Sequence, residues 1–187
     1  MSSKLTTSYW LWKAKQRDSE AFAKVYDIYV DKIYRFVYFK VSDQELAQDF
    51  CSDVFLKVWE YINTGKEIKN LNALLYSTAR NLVIDHYRRK STHDVALPEE
   101  AEDYNENMSI DEAPVLMNKI DVQLLGEVMK ELKDEYREVI LLKYVEDFDL
   151  PNIAQIMGKK AGATRVLLHR ATKSLKDIVD AREARLR

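Results

Sequence analysis

Apolar side chains recur at three- and four-residue steps along most of this chain, and no stretch alternates as a strand would. The first long run is Phe22, Val25, Tyr26, Tyr29, Ile33, Phe36 and Val37, which predicts a helix to about Lys40 with Asp18 or Ser19 as its cap. A short amphipathic piece, Tyr9 to Lys15, precedes it. Stepped at about 100° per residue, Asp43 to Tyr61 places Leu46, Ala47, Phe50, Cys51, Val54, Val58 and Ile62 on one broad inner face. Asn63, Thr64 and Gly65 break that helix, and the loop from Asn63 to Asn70 carries Lys66 and Lys69. The pattern resumes from Leu71 to Lys90, with Leu71, Leu75, Thr78, Ala79 and Leu82 inward.

Periodicity then lapses. Ser91 to Asn118 contains Pro98, Pro114 and the run Glu99-Glu-Ala-Glu-Asp-Tyr-Asn-Glu-Asn107, which has little to bury and whose charges repel. Helical patterning returns over Lys119 to Leu132 and over Glu135 to Val145, the latter displaying Val139, Ile140, Leu142 and Tyr144. Asp149 is a plausible cap for a short helix, Leu150 to Met157, with Pro151 tolerated in its first turn and Gly158 ending it. A last helix runs from about Ala161 to Val179. The expected fold is all-α: a helical domain at 1–90, a flexible acidic linker at 91–118 and a second helical domain at 119–187. Helix, tight glycine-containing turn, helix is the arrangement that presents a recognition helix to a DNA groove.

Charge sharpens this division. The 187-residue chain has a formal net charge of only −2. Yet residues 1–90 hold 15 basic against 11 acidic side chains, 91–118 hold 8 acids and no Lys or Arg, and 151–187 hold 9 basic against 3 acidic. Two mildly basic blocks flank an acidic spacer. The single cysteine, Cys51, lies on an apolar face, so it reads as a small buried hydrophobe and excludes a disulfide framework. No apolar run approaches a membrane span, and the opening Met1-Ser-Ser-Lys4 lacks a signal-peptide core, which makes a reducing cytoplasm the expected location. No metal-ligand constellation, phosphate-cradling glycine loop or nucleophile-base pair occurs, so neither a cofactor nor an enzyme is expected.

Three exposed faces remain as candidate chemistry. Opposite the inner face of the 43–61 helix lie Glu45, Asp49, Ser52, Asp53 and Glu60, with Leu56 at the centre and Trp59 at the edge. An apolar knob ringed by acids suits docking to a basic partner; a solvated face with one stray leucine has the same pattern. The outer face of the 71–90 helix shows Tyr76, Ser77, Arg80, Ile84, Tyr87 and Arg88, with Asn81 beside them. Tyrosines that stack on bases and arginines that hold phosphates suit single-stranded nucleic acid. Arg88, Arg89 and Lys90 equally complement a helix C-terminus. On the last helix Thr164, Leu167, Leu168, Ala171, Leu175 and Ile178 face inward, Val166, His169, Arg170 and Lys173 outward, and Arg165 sits on the border. Arg165 and Arg170 suit guanine or phosphate, Val166 a thymine methyl, and Lys159, Lys160 and Lys176 phosphates; His169 fits a base edge or plain solvent.

Four segments together carry a resemblance. Asp18-Ser-Glu-Ala-Phe-Ala-Lys-Val-Tyr26, Ala47-Gln-Asp-Phe-Cys-Ser-Asp-Val-Phe-Leu-Lys-Val-Trp59, Leu75-Tyr-Ser-Thr-Ala-Arg-Asn-Leu-Val-Ile-Asp-His-Tyr-Arg-Arg89 and Gly162-Ala-Thr-Arg-Val-Leu-Leu-His-Arg-Ala171 resemble, in this order, the extracytoplasmic-function (ECF) sigma factors of the sigma-70 family. The resemblance implies a region-2-like domain at 1–90 and a region-4-like helix-turn-helix domain at 119–187. It implies binding of core RNA polymerase at its clamp coiled coil and flap, with Asp49, Asp53, Leu56 and Trp59 on the clamp. It further implies that Lys66, Lys69, Tyr76, Arg80, Asn81, Asp85, Arg88 and Arg89 engage the opening −10-type promoter element. Lys159, Lys160, Arg165, Val166, His169, Arg170 and Lys173 then read the −35-type element as duplex. Family members are often held inactive by an anti-sigma factor over the same docking surfaces, and their linker runs near the polymerase active-site channel.

Two departures stand out. The first helix of the terminal hairpin usually opens with a serine-aromatic-glutamate-glutamate run, and here reads Asp149-Leu-Pro-Asn152; Thr164 replaces a more usual apolar residue. These put the local cap and the helix packing in question. A helix-turn-helix regulator that binds DNA without polymerase is the competing function, and the acidic face at Asp49 and Asp53 discriminates the two.

Overall fold

A computed structural model describes residues 2–90 and 122–185. The acidic spacer expected at 91–118 therefore lies outside the described residues. The chain divides into two compact units, Met1–Asp94 and Val95–Arg187, and the described residues form helices and turns only.

The first unit contains α1 (Ser2–Ala14), α2 (Ser19–Val41), α3 (Gln44–Asn63) and α4 (Leu71–Lys90). Each junction is set by a short polar device. Arg17 takes a left-handed φ of 65° to end the first turn, and Asp18 then caps α2, its Oδ1 accepting from the Ala21 N–H at 3.0 Å. At the far end Ser42 adopts φ 53° and donates its N–H to Tyr38 O, while Asp43 caps α3 by accepting from the Leu46 N–H. Only two residues separate these long helices, so they fold back on each other as a hairpin. Gly65, at φ 73°, closes the end of α3, and Asn70 Oδ1 accepts from the Ala73 N–H to start α4.

Inside, Val25, Ile33, Phe36 and Val37 of α2 meet Ala47, Val54, Phe55, Val58 and Ile62 of α3 and Leu75, Tyr76, Ala79 and Val83 of α4. The periodic stripe expected for α2 holds at Val25, Tyr29, Ile33, Phe36 and Val37, but Tyr26 is 40% exposed with its ring tilted against Phe55. Phe55 is buried although the angular reading of α3 omits it. Leu46, Thr78 and Leu82, expected inside, are half-buried. Tyr29 links two helices by donating its hydroxyl to Asn72 Oδ1 at 2.6 Å, and burial pushes its pKa up.

The second unit contains α5 (Val122–Glu131), α6 (Asp134–Ile140), α7 (Leu150–Met157) and α8 (Ala161–Arg185). Where one regular helix was expected from Glu135 to Val145, the α-helix ends at Ile140 and a π turn spans Leu141–Val145, closed by the Glu146 N–H on Leu141 O. Val139, Ile140, Leu141 and Leu142 are all buried there, which a helix achieves only when neighbours surround it. Arg137 ties the start of this element to α5: Nε donates to Met129 O at 2.7 Å and Nη2 to Leu132 O at 3.1 Å, satisfying the carbonyls at the end of α5. Farther along, α8 continues to Arg185, and Arg182 holds Glu127 through Nη1 at 2.7 Å and Glu131 through Nε at 2.9 Å.

The departure at Asp149 to Asn152 leaves the cap of α7 intact, because Asp149 Oδ1 accepts from the Asn152 N–H at 2.9 Å and from its side-chain Nδ2 at 2.6 Å. Thr164 is fully buried, and its hydroxyl donates to Lys160 O at 3.1 Å, so the polar replacement is satisfied by the backbone just before its helix.

Gly158 ends α7 at φ 65° with open space where a Cβ would sit, so backbone conformation alone decides the cost of a side chain there. Gly158→Ala is expected to lower stability by about 1 kcal/mol, with Gly158→Asn costing less, as read from the urea midpoint. Cys51 supplies a second test. Burial, aided by Asp31, pushes its thiol from 9.0 up to about 11. The folded state then holds this proton more tightly than the unfolded chain, so stability is fully present below pH 9 and falls as pH rises toward 11. Cys51→Ala is expected to flatten the decline in stability between those two pH values, measured by urea unfolding across that range.

Candidate functional site

Packing of α3 against α2 and α4 leaves its remaining arc in solvent, and that arc is acidic. Glu45, Asp49, Ser52, Asp53 and Glu60 are all exposed, and Leu56 among them is 57% exposed. Trp59, one turn beyond Leu56, is half-buried with its ring 4.8 Å from that of Phe22. The indole is thus braced by the first turn of α2, while Leu56 stands free of the core. Tyr26, assigned to the core by periodicity, adds a partly exposed ring beside Phe55 near this edge. Its signal is the aromatic spacing of Phe22 and Tyr26, which periodicity alone cannot split into buried and exposed members.

The neighbouring surface is basic. Lys66 and Lys69 are exposed on the loop between α3 and α4, and Lys66 Nζ lies 6.0 Å over the Tyr61 ring. On α4, Asn81, Asp85, Tyr87, Arg88 and Arg89 are exposed and Arg80 is half-buried. Tyr76 is the correction. It is fully buried, with its ring edge-on to Phe36 at 5.1 Å, and cannot stack on a base. Because α4 packs against both α2 and α3, its buried arc is wider than a single stripe and takes in Tyr76 and Val83 as well. Tyr87, 41% exposed, is the aromatic that α4 actually offers, with His86 wedged edge-on between it and Phe50.

In the second unit the turn between α7 and α8 presents Lys160 to solvent. Lys159 points back instead, its Nζ 3.2 Å from Glu135 Oε1 with both side chains about one-third exposed. On α8, Arg165 and Lys173 are exposed, and Val166, His169 and Arg170 are half-buried along the same side. Leu168, Ala171, Leu175 and Val179 fix the rotation of α8 by packing inward; Leu167 and Ile178 stay half-buried, and Val179 takes the inner place. The geometry therefore brings Arg165, Val166, His169, Arg170 and Lys173 onto one side of α8, leaves Lys160 exposed in the turn before it, and holds Lys159 in an ion pair with Glu135.

Among the described residues no group of His, Cys, Asp or Glu side chains is arranged to hold a metal ion, and no helix is long and apolar enough to cross a membrane. The site is made of surfaces.

Each unit matches a known family model. Residues 25–93 match the family model for sigma-70 region 2, and residues 123–175 match that for sigma-70 region 4. The ECF RNA polymerase sigma factor BldN of Streptomyces coelicolor is 30% identical over 164 residues, a match covering 87% of this chain and 62% of that protein. The ECF RNA polymerase sigma factor SigW of Bacillus subtilis is 28% identical over 172 residues, covering 88% of this chain and 91% of that protein. Among solved structures, the sigma factor RpoE of Bartonella quintana, in complex with the anti-sigma factor NepR, shares the fold at a TM-score of 0.64 and 20% identity, over 85% of this chain and 96% of that one. CnrH, in complex with the cytosolic domain of CnrY, shares it at 0.68 and 17% identity, over 94% and 98% of the two chains. With both conserved regions present in the order of the ECF proteins, the chain belongs to the sigma-70 family of RNA polymerase sigma factors, in its extracytoplasmic-function group.

Proposed function

We propose that this chain docks on core RNA polymerase through the acidic face of α3 and directs it to promoters with α4 and α8. The observation that carries the reading is the exposed Leu56 set among Asp49, Asp53 and Glu60 on a helix whose opposite face is fully committed to the core. Apolar contact at Leu56 and Trp59 supplies affinity, while the carboxylates steer a basic coiled coil on the clamp and select its register. Sigma factors are promoter-recognition subunits and not enzymes, so the polymerase supplies the chemistry.

Residues 1–90 serve as the region-2 domain and 119–187 as the region-4 domain, the latter also meeting the polymerase flap. Lys66 and Lys69 of the loop, with Arg80, Asn81, Asp85, Arg88 and Arg89 of α4, engage the −10-type element as it opens; Tyr87 takes the stacking role that Tyr76 cannot. Opening requires bases to leave the stack at a cost of a few kcal/mol, which captured bases offset. Arg165, Val166, His169, Arg170 and Lys173 of α8 meet base edges of the −35-type duplex, and Lys160 meets phosphate. Joining two readers through residues 91–118 raises the effective concentration of the second once the first is bound. The setting for these partners is the cytoplasm, and an inhibitory anti-sigma partner covering the docking surfaces belongs to the same reading; the Bartonella sigma factor RpoE is itself in complex with the anti-sigma factor NepR.

Two experiments test this. Asp49→Lys with Asp53→Lys is expected to abolish co-elution with purified core polymerase without lowering affinity for promoter duplex. Equal core binding by wild type and variant overturns the docking reading in favour of a free DNA-binding regulator. Arg165→Ala is expected to cost about 1–3 kcal/mol and to relax preference at one base pair in run-off transcription across a promoter library; a uniform loss across sequences assigns Arg165 to phosphate instead.

A further inference from the structure

The region-2 match begins at residue 25, so α1 lies outside it. Against α2 this helix buries Ala14 and half-buries Trp10 and Leu11. Elsewhere it leaves Tyr9 48% and Trp12 59% exposed, three residues apart and therefore neighbours on the helix surface. Lys13 Nζ lies 5.5 Å over the Tyr9 ring, and Lys15 and Arg17 are exposed where the helix ends. Charge is concentrated here as well. Residues 1–17 contain Lys4, Lys13, Lys15 and Arg17 and no acid, whereas 18–90 hold 11 basic and 11 acidic side chains, so this segment carries the whole positive excess of the first block. The first acid, Asp18, has its carboxylate occupied as the cap of α2.

We infer that Tyr9 and Trp12, with Lys13, Lys15 and Arg17, form a binding site for single-stranded DNA on α1, separate from that on α4. Two adjacent rings offer stacking platforms for successive bases, and the cations track the phosphates between them. Anionic lipid suits the surface less well, because among the described side chains of this helix Trp10, Leu11 and Ala14 are half-buried or buried and Tyr9 and Trp12 are the apolar ones left exposed to enter a bilayer. The site extends the reading that this chain works at an opened promoter, where a displaced strand is at hand.

The test uses the full chain carrying Trp10→Phe and Trp59→Phe, which leaves Trp12 as the sole tryptophan. Titration with a thymidine oligonucleotide at low salt is expected to quench Trp12 emission to saturation. In the wild-type background, Tyr9→Ala or Trp12→Ala is expected to weaken binding of the labelled oligonucleotide at least about fivefold. Lys15→Gln with Arg17→Gln is expected to reduce the slope of log affinity against log salt by about 1.4. Both rings are exposed, so the variants are expected to fold, which circular dichroism melts check. Unchanged Trp12 emission, an oligonucleotide affinity indifferent to both ring substitutions, or quenching by phosphatidylglycerol vesicles but not by DNA overturns the inference. Co-elution of the wild-type chain with core polymerase, measured in parallel, separates the two readings: quenching without co-elution keeps the α1 site and removes the promoter setting, and co-elution without quenching does the reverse.

Discussion

Burial of the inner face of α3 between α2 and α4 is the constraint on which the first unit turns. Ala47, Val54, Val58 and Ile62 are held at full burial, so the helix cannot rotate without exposing all four to water. Its rotation being settled, Asp49, Asp53 and Leu56 must face outward. The two-residue link at Ser42 and Asp43 sets the antiparallel approach of α2, and the Asp43 cap fixes where α3 begins. An acidic surface with one apolar knob is thus the far side of a packing solution.

A similar logic shapes α4, with a different outcome. Like α3 it touches two helices, and here the aromatic content divides between Tyr76 against Phe36 and Tyr87 in solvent. Arg88 and Arg89 lie exposed toward the end of the helix, past the buried Val83. There they complement the helix dipole and remain available to an anionic ligand at once.

The second unit relies on polar clamps at its margins and apolar packing at its centre. Arg137 finishes α5, Asp149 starts α7 and Arg182 holds the far end of α8 to Glu127 and Glu131. Between them the π turn at Leu141–Val145 keeps four consecutive apolar residues from Val139 inside. The pair Arg182 with Glu127 and Glu131 is largely solvent-exposed, so it serves to orient α8 more than to stabilise it.

Much of this was legible in the residues by themselves. Apolar spacing located the long helices and the terminal hairpin, Asp18, Asp43, Asp149 and Gly158 marked their ends, and Leu56 was recognisable as an apolar residue on a polar face. These features are local: spacing, caps and turn chemistry act within a few residues. Tertiary contact decided the rest. The burial of Tyr76 and Phe55, the exposure of Tyr26, the π turn and the pairing of Lys159 with Glu135 each depend on which helices lie alongside. A helix that meets one neighbour buries a stripe and one that meets two buries a wider arc, and the number of neighbours is not written in the periodicity of the helix itself.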